Sequence, residues 1–92
     1  MKITKSPTGF SVQPYSDNYF CITGFPTKEY RFREYECAYD VQDMLKEKVG
    51  KPSTADFDSE FSQLFIIFKK EKDALDYLKK IEDYLYKVKE LV

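Results

Sequence analysis

Ninety-two residues with a formal net charge of −1 make one domain with a thin core, since a chain of this length buries only about 60–65% of its unfolded surface. Apolar and charged fractions of 42% and 34% exclude a disordered chain, and the near-neutral charge argues against both a general nucleic-acid coat and an acidic DNA mimic. The absence of histidine removes the commonest general base and the commonest transition-metal ligand together.

In chain order, GFSVQPY (Gly9–Tyr15) alternates apolar Phe10 and Val12 with polar Ser11 and Gln13, the period of a half-buried strand. Ser16-Asp17-Asn18 is turn chemistry, and NYFCITGF (Asn18–Phe25) predicts a second strand in a hairpin with the first. After a turn at Gly24–Thr27, KEYRFRE (Lys28–Glu34) alternates again and predicts a third strand, giving an antiparallel meander. Cys37, Ala38, Val41, Met44, Leu45 and Val49 recur at helical spacing, ended by Gly50 and Pro52. Ser53 and Asp56 have capping-box spacing, which predicts a short helical turn carrying Phe57 and Phe61 inward. QLFIIF (Gln63–Phe68) reads as a fourth strand, and a helix is expected from about Glu71 to the C-terminus. The expected fold is therefore α+β: strand-strand-strand-helix-strand-helix, a small, mostly antiparallel sheet packed by two helices, with residues 1–92 as a single compact domain.

FREYECAYD (Phe32–Asp40) returns as FKKEKDALD (Phe68–Asp76), with Phe, Ala and Asp at the same offsets. Both copies read as a junction: a Phe closing a strand, acids at a helix start, and Ala38 or Ala74 where the helix meets the sheet. The fourth strand is apolar on both faces, with Leu64, Ile66 and Phe68 on one and Phe65 and Ile67 on the other. Cys21 and Phe25 could join Phe65 and Ile67 if the register allows. Three arrangements satisfy this pattern. The helices split across both faces, the acidic connector with Phe57 and Phe61 folds over the second face, or that face meets a partner, most simply a second copy.

Tests for chemistry return little. Asp56-Phe57-Asp58-Ser59-Glu60 begins like a calcium loop, but Phe61 stands where glycine is needed and Ile67 where a bidentate glutamate is needed. Cys21 and Cys37 form no CxxC pair and read as reduced thiols, and the three glycines form no phosphate loop. No metal, no cofactor and no enzymatic activity are expected. The N-terminal MKITKSPTGF has no apolar run of signal-peptide length, and the longest apolar run is Leu64–Phe68. A soluble, cytoplasmic protein with no membrane contact is the expectation.

Charge is unevenly spread. Residues 1–33 carry five basic side chains against two acids, net +3, whereas residues 34–62 carry eight acids against three lysines, net −5. On the expected third strand Arg31 and Arg33 would share a sheet face with Ser11, Gln13 and Tyr19, a basic and aromatic surface of the kind that holds bases or phosphates. Gly9, Phe32, Glu36 and Ala38, within three strands and an F-x5-A helix opening, resemble the arm-type DNA-binding domains of phage integrases and the related plant ethylene-response domains. The resemblance spans Gly9 to about Met44, and it implies a sheet that contacts DNA. The chain departs from the plant family in lacking dense Arg and Trp, and it adds a fourth strand and a second helix.

Two functions follow as expectations. The first is a small non-catalytic protein that acts by protein–protein binding, as a homodimer, in the manner of phage or mobile-element inhibitors and modulators of host machinery. Phe65 and Ile67 are its candidate binding residues. The second is a nucleic-acid-binding domain using Tyr19, Arg31 and Arg33.

Overall fold

A computed structural model describes residues 3–92. Five strands, β1 (Thr4–Lys5), β2 (Phe10–Tyr15), β3 (Tyr19–Gly24), β4 (Ala55–Phe57) and β5 (Ile66–Phe68), combine with two helices, α1 (Ala38–Lys48) and α2 (Glu71–Leu91), in an α+β domain. The sheet is antiparallel throughout, in the order β1-β2-β3-β5-β4. Three strands precede the first helix, as the pattern requires, but one of them is not where alternation places it.

The hairpin β2–β3 forms as read. Phe10 and Val12 are buried while Ser11 and Gln13 are half-exposed. The turn places Ser16 and Asn18 at φ of 53° and 65°, a region that short polar side chains tolerate better than most. The expected third strand over Lys28–Glu34 does not form. Lys28–Tyr30 is a single 3-10 turn instead. Its Tyr30 ring packs 5.7 Å from Tyr86 near the end of α2, Lys89 of α2 lies 4.8 Å over the same ring, and Lys89 pairs with Glu29. Alternating aromatics therefore serve a turn that docks on a helix. The place beside β3 goes to β5, through Phe20↔Phe68, Cys21↔Ile67 and Ile22↔Ile66. QLFIIF brings more apolar side chains to the core at this place than KEYRFRE could, with Leu64, Ile66 and Phe68 fully buried.

The connector departs from expectation too. Ala55–Phe57 pairs with β5 as the outer strand, with Asp56 opposite Ile67. Extended backbone lets the Phe57 ring turn inward, half-buried and edge-on to Tyr77 at 6.3 Å. Phe61 is not carried inward; it is 67% exposed. The main-chain carbonyl of Phe61 accepts a 2.8 Å hydrogen bond from the Ala38 N–H, and the Gln42 side-chain oxygen accepts one of 3.4 Å from the Ser59 N–H. With Lys46 lying 5.1 Å over the Phe57 ring, these contacts hold α1 against the end of β4 and the connector that follows it.

One core lies between the sheet and both helices. Phe10, Val12, Ile22, Ile66 and Phe68 meet Val41, Met44 and Leu45 of α1 and Tyr77, Ile81 and Leu85 of α2. Ala38 and Ala74 are both buried in their helices' first turns, and Leu45 and Ile81 are both fully buried. The repeated junction is thus structural on its helical side. On the strand side only Phe68 closes a strand. Phe32 lies in the loop, edge-on to Tyr30 at 6.5 Å.

Two glycines fix the far end of the β2–β3 hairpin. Gly9 and Gly24 have φ of 106° and 125°, and a methyl group on Gly24 would meet the Gly9 carbonyl oxygen at 2.2 Å. The backbones can approach this closely only without side chains. The Thr27 N–H then donates to the Thr8 carbonyl at 2.9 Å, starting the loop that carries both arginines.

Candidate functional site

Both helices lie on one face of the sheet, so among the described residues the other face has no element across it. Parity along the strands decides what this open face carries. Opposite to Phe10 and Val12 stand Ser11, Gln13 and Tyr15 of β2. Opposite to Phe20 and Ile22 stand Tyr19, Cys21 and Thr23 of β3. Ile67 of β5 follows in the same cross-strand row as Cys21, with Phe65 two residues before it. Of the expected binding residues, Tyr19, Phe65 and Ile67 therefore come together. Tyr19 is 39% exposed, while Phe65 and Ile67 are half-buried.

The partial burial has a local cause. The ring of Tyr15 leans along the sheet to within 5.7 Å of the Phe65 ring. Those two residues flank the Cys21 row, so their rings close over it, and Cys21 is only 2% exposed although no helix covers it. Burial pushes the Cys21 thiol above its ordinary pKa. Thr23 is covered from the other end, where the Gln63 amide donates to its hydroxyl at 3.4 Å. A shallow groove of about 480 Å³ crosses the rest of the face between Tyr15 and Tyr19 on one side and Asp56 and Asp58 on the other, with Ile67 and Lys69 in its lining. The three arrangements left open by the sequence are thus resolved. The helices do not split, the connector lengthens the sheet without folding over it, and the second face stays open under a partial cover of its own side chains.

No known family model matches the chain, and comparisons with curated proteins and with solved structures return no match.

Arg31 and Arg33 are not on this face. Both lie in the loop beyond Gly24, the last residue of β3, whereas Tyr19 is the first. At about 3.3 Å per residue the strand separates its two ends by roughly 17 Å. The Arg31 guanidinium donates through Nε and Nη2 to the Pro26 carbonyl, at 3.2 and 2.7 Å, and stacks 4.8 Å from the Phe25 ring. Arg33 lies 5.6 Å over Tyr35, whose ring is edge-on to Phe25 at 5.6 Å. Burial raises the Tyr35 phenol above its ordinary pKa, while the Arg33 charge and hydrogen bond pull the other way. The two arginines and two rings form one interleaved stack that braces the loop, and Phe25 belongs to it and not to the open face. The strand that would have set the arginines beside Ser11, Gln13 and Tyr19 is a 3-10 turn, and both arginines lie in the loop that follows it.

The carboxylates Glu34, Glu36, Asp40 and Asp43 line an open groove of about 510 Å³ with Arg33. Asp40 accepts the Glu36 N–H at 2.8 Å, which ties the first turn of α1 to the loop before it. Among the described residues no group of His, Cys, Asp and Glu is arranged to hold a metal ion, and no helix is long and apolar enough to cross a membrane. Tyr15, Lys5 and Asp58 of the open face were not singled out by the sequence. Tyr15 was within reach, since it continues the alternation of Ser11 and Gln13. Asp58 was hidden by the helical reading of the connector, and Lys5 by a strand only two residues long.

Proposed function

We propose that the protein is a small non-catalytic interaction module that docks onto another macromolecule with the open face of its sheet. The observation that supports this is the face itself. Tyr19, Phe65 and Ile67 gather on a sheet surface that neither helix nor connector covers, and flat aromatic and aliphatic surface of this kind gains most from being taken out of water. A protein partner fits better than a nucleic acid. The two aspartates on the face are matched by Lys5 and Lys69, so it has no basic excess, and Arg31 gives two of its donors to the Pro26 carbonyl. Action by occlusion, as in the modulators of host machinery that phages and mobile elements encode, is the setting this reading fits.

Immobilised wild-type protein and a Tyr19→Asp variant, compared in extract from the native host with mass spectrometry of the retained proteins, test the reading. Tyr19 is exposed, so the variant should keep the wild-type circular dichroism spectrum. At least one protein should be held by wild type and lost by the variant. Identical retained sets, with the host's own copy of the chain counted as a retained protein, or oligonucleotide binding that weakens steeply with salt, would sink the proposal.

A further inference from the structure

The open face carries a pattern of its own across the strands. One row runs Lys5↔Ser11↔Thr23 through β1, β2 and β3. Continued past Ile22↔Ile66 it reaches Phe65, whose carbonyl accepts the Asp58 N–H at 3.0 Å. The row therefore begins with an exposed cation at one edge of the sheet and ends with an exposed anion at the other, with β3 in the middle. Bulk follows the same gradient at two levels, where the β2 side presents Ser11 and Gln13 and the β5 side presents Phe65 and Ile67. One level further on, Tyr15 of β2 stands beside Tyr19 at the middle of the face.

We infer that the occupant of this face is a second copy of the chain, packed face to face about a two-fold axis parallel to β3. This rests on the reading of the open face as a docking surface. Such an axis exchanges the two edges and keeps each residue at its own level along the strands. Lys5 of each copy then faces Asp58 of the other, and Phe65 and Ile67 fall over Ser11 and Gln13. Both gradients are satisfied by one operation. A two-fold axis normal to the strands in the plane of the face would place each edge on itself, cation near cation and anion near anion. Sheets packed face to face in this way lie close to aligned. Strands of two, six, six, three and three residues, at about 3.3 Å per residue and about 4.8 Å apart, give a face of roughly 300 Å² in projection. Side-chain relief raises the accessible area above the projection, so two such faces fit a small, weak interface near the lower limit of about 1,000 Å².

Light scattering on the full chain at about 100 µM, well above a micromolar dissociation constant, tests the inference. Wild type should give twice the 10.9 kDa chain mass. Ile67→Lys should give a monomer with an unchanged circular dichroism spectrum. Lys5→Glu and Asp58→Lys should each weaken the dimer by roughly tenfold, because each reversal acts twice in a symmetric pair. The double variant Lys5→Glu/Asp58→Lys should recover wild-type association. Monomeric wild type overturns the inference, as does a dimer that tolerates Ile67→Lys. A dimer lost in Ile67→Lys but indifferent to every charge reversal overturns the proposed axis. If wild type is a monomer and Tyr19→Asp still loses a retained host protein, the second-copy inference falls alone and the docking reading stands.

Discussion

Replacing Gly24 by alanine should be among the most destabilising single changes on the surface of this protein, and its cost separates into two parts. The first is conformational. A non-glycine residue held at φ of 125° is strained by about 1–2 kcal/mol. The second is steric. The new methyl would stand 2.2 Å from the Gly9 carbonyl oxygen and 2.9 Å from the Phe10 Cα. Neither is the movable end of a side chain, so the two backbones must separate. Separation loosens the first pair of the β2–β3 ladder, Phe10↔Gly24, and the Thr27-to-Thr8 hydrogen bond at 2.9 Å, at about 1 kcal/mol for each bond lost. The total is about 3–4 kcal/mol, a large share of the roughly 5–14 kcal/mol expected for a chain of this size. Gly50→Ala supplies the control. Gly50 has φ of 116°, but a methyl there meets nothing within 4 Å, so only the conformational part applies. With a urea m-value near 1 kcal/mol/M, Gly24→Ala should unfold at a midpoint roughly 2 M lower than Gly50→Ala. Equal midpoints for the two variants would refute the close approach of Gly9 and Gly24.

Tyr77 and the two cysteines give the remaining predictions. The Tyr77 hydroxyl donates to the Gly50 carbonyl at 2.7 Å, and burial pushes the phenol up to about 12 from an ordinary 10. Since folding holds this group protonated, its contribution is complete below pH 10 and is lost as pH rises from 10 through 12, on the order of 2 kcal/mol in all. Tyr77→Phe should cost about 1 kcal/mol at neutral pH and flatten that alkaline limb; an alkaline limb identical to wild type in urea titrations would contradict this. In thiol titration with a chromogenic disulfide at pH 8, half-buried Cys37 should react well ahead of Cys21, which is buried beneath the Tyr15–Phe65 pair. Tyr15→Ala should speed Cys21 by an order of magnitude or more, and an unchanged rate would mean that the rings do not close over it.

What the sequence showed and what it hid divide along physical lines. Both helices were legible because eleven- and twenty-one-residue segments carry enough turns for the apolar stripe to declare its period. The β2–β3 hairpin was legible because its turn residues and its alternation agree. Lys28–Glu34 misled because Tyr30 and Phe32 alternate as a strand would. Period two over a few residues cannot separate a strand from a turn whose rings dock on a helix. Ser53 and Asp56 misled in the opposite direction. Their local spacing favours a helical turn, but the free edge of β5 offered backbone partners, and pairing overrode the local preference. The site fared accordingly. Parity and side-chain type put Phe65 and Ile67 on the uncovered side of the sheet. Tyr19, read with Arg31 and Arg33 as a nucleic-acid surface, stands on that side too, whereas the arginines were joined to it only through the strand that does not form.

The contacts between α1 and β4 have a consequence for how the molecule meets its own kind. An outer strand normally offers unsatisfied main-chain groups on which another chain can grow, and growth of that sort does not stop at two. Here Gln42 and Lys46 of α1 lie along that border at Ser59 and Phe57, and the opposite border, β1, is two residues long. Both borders are short, three residues at β4 and two at β1, so each offers little strand for another chain to extend. That leaves the broad side of the sheet, the proposed docking face, as the surface on which a closed symmetric pair would end assembly.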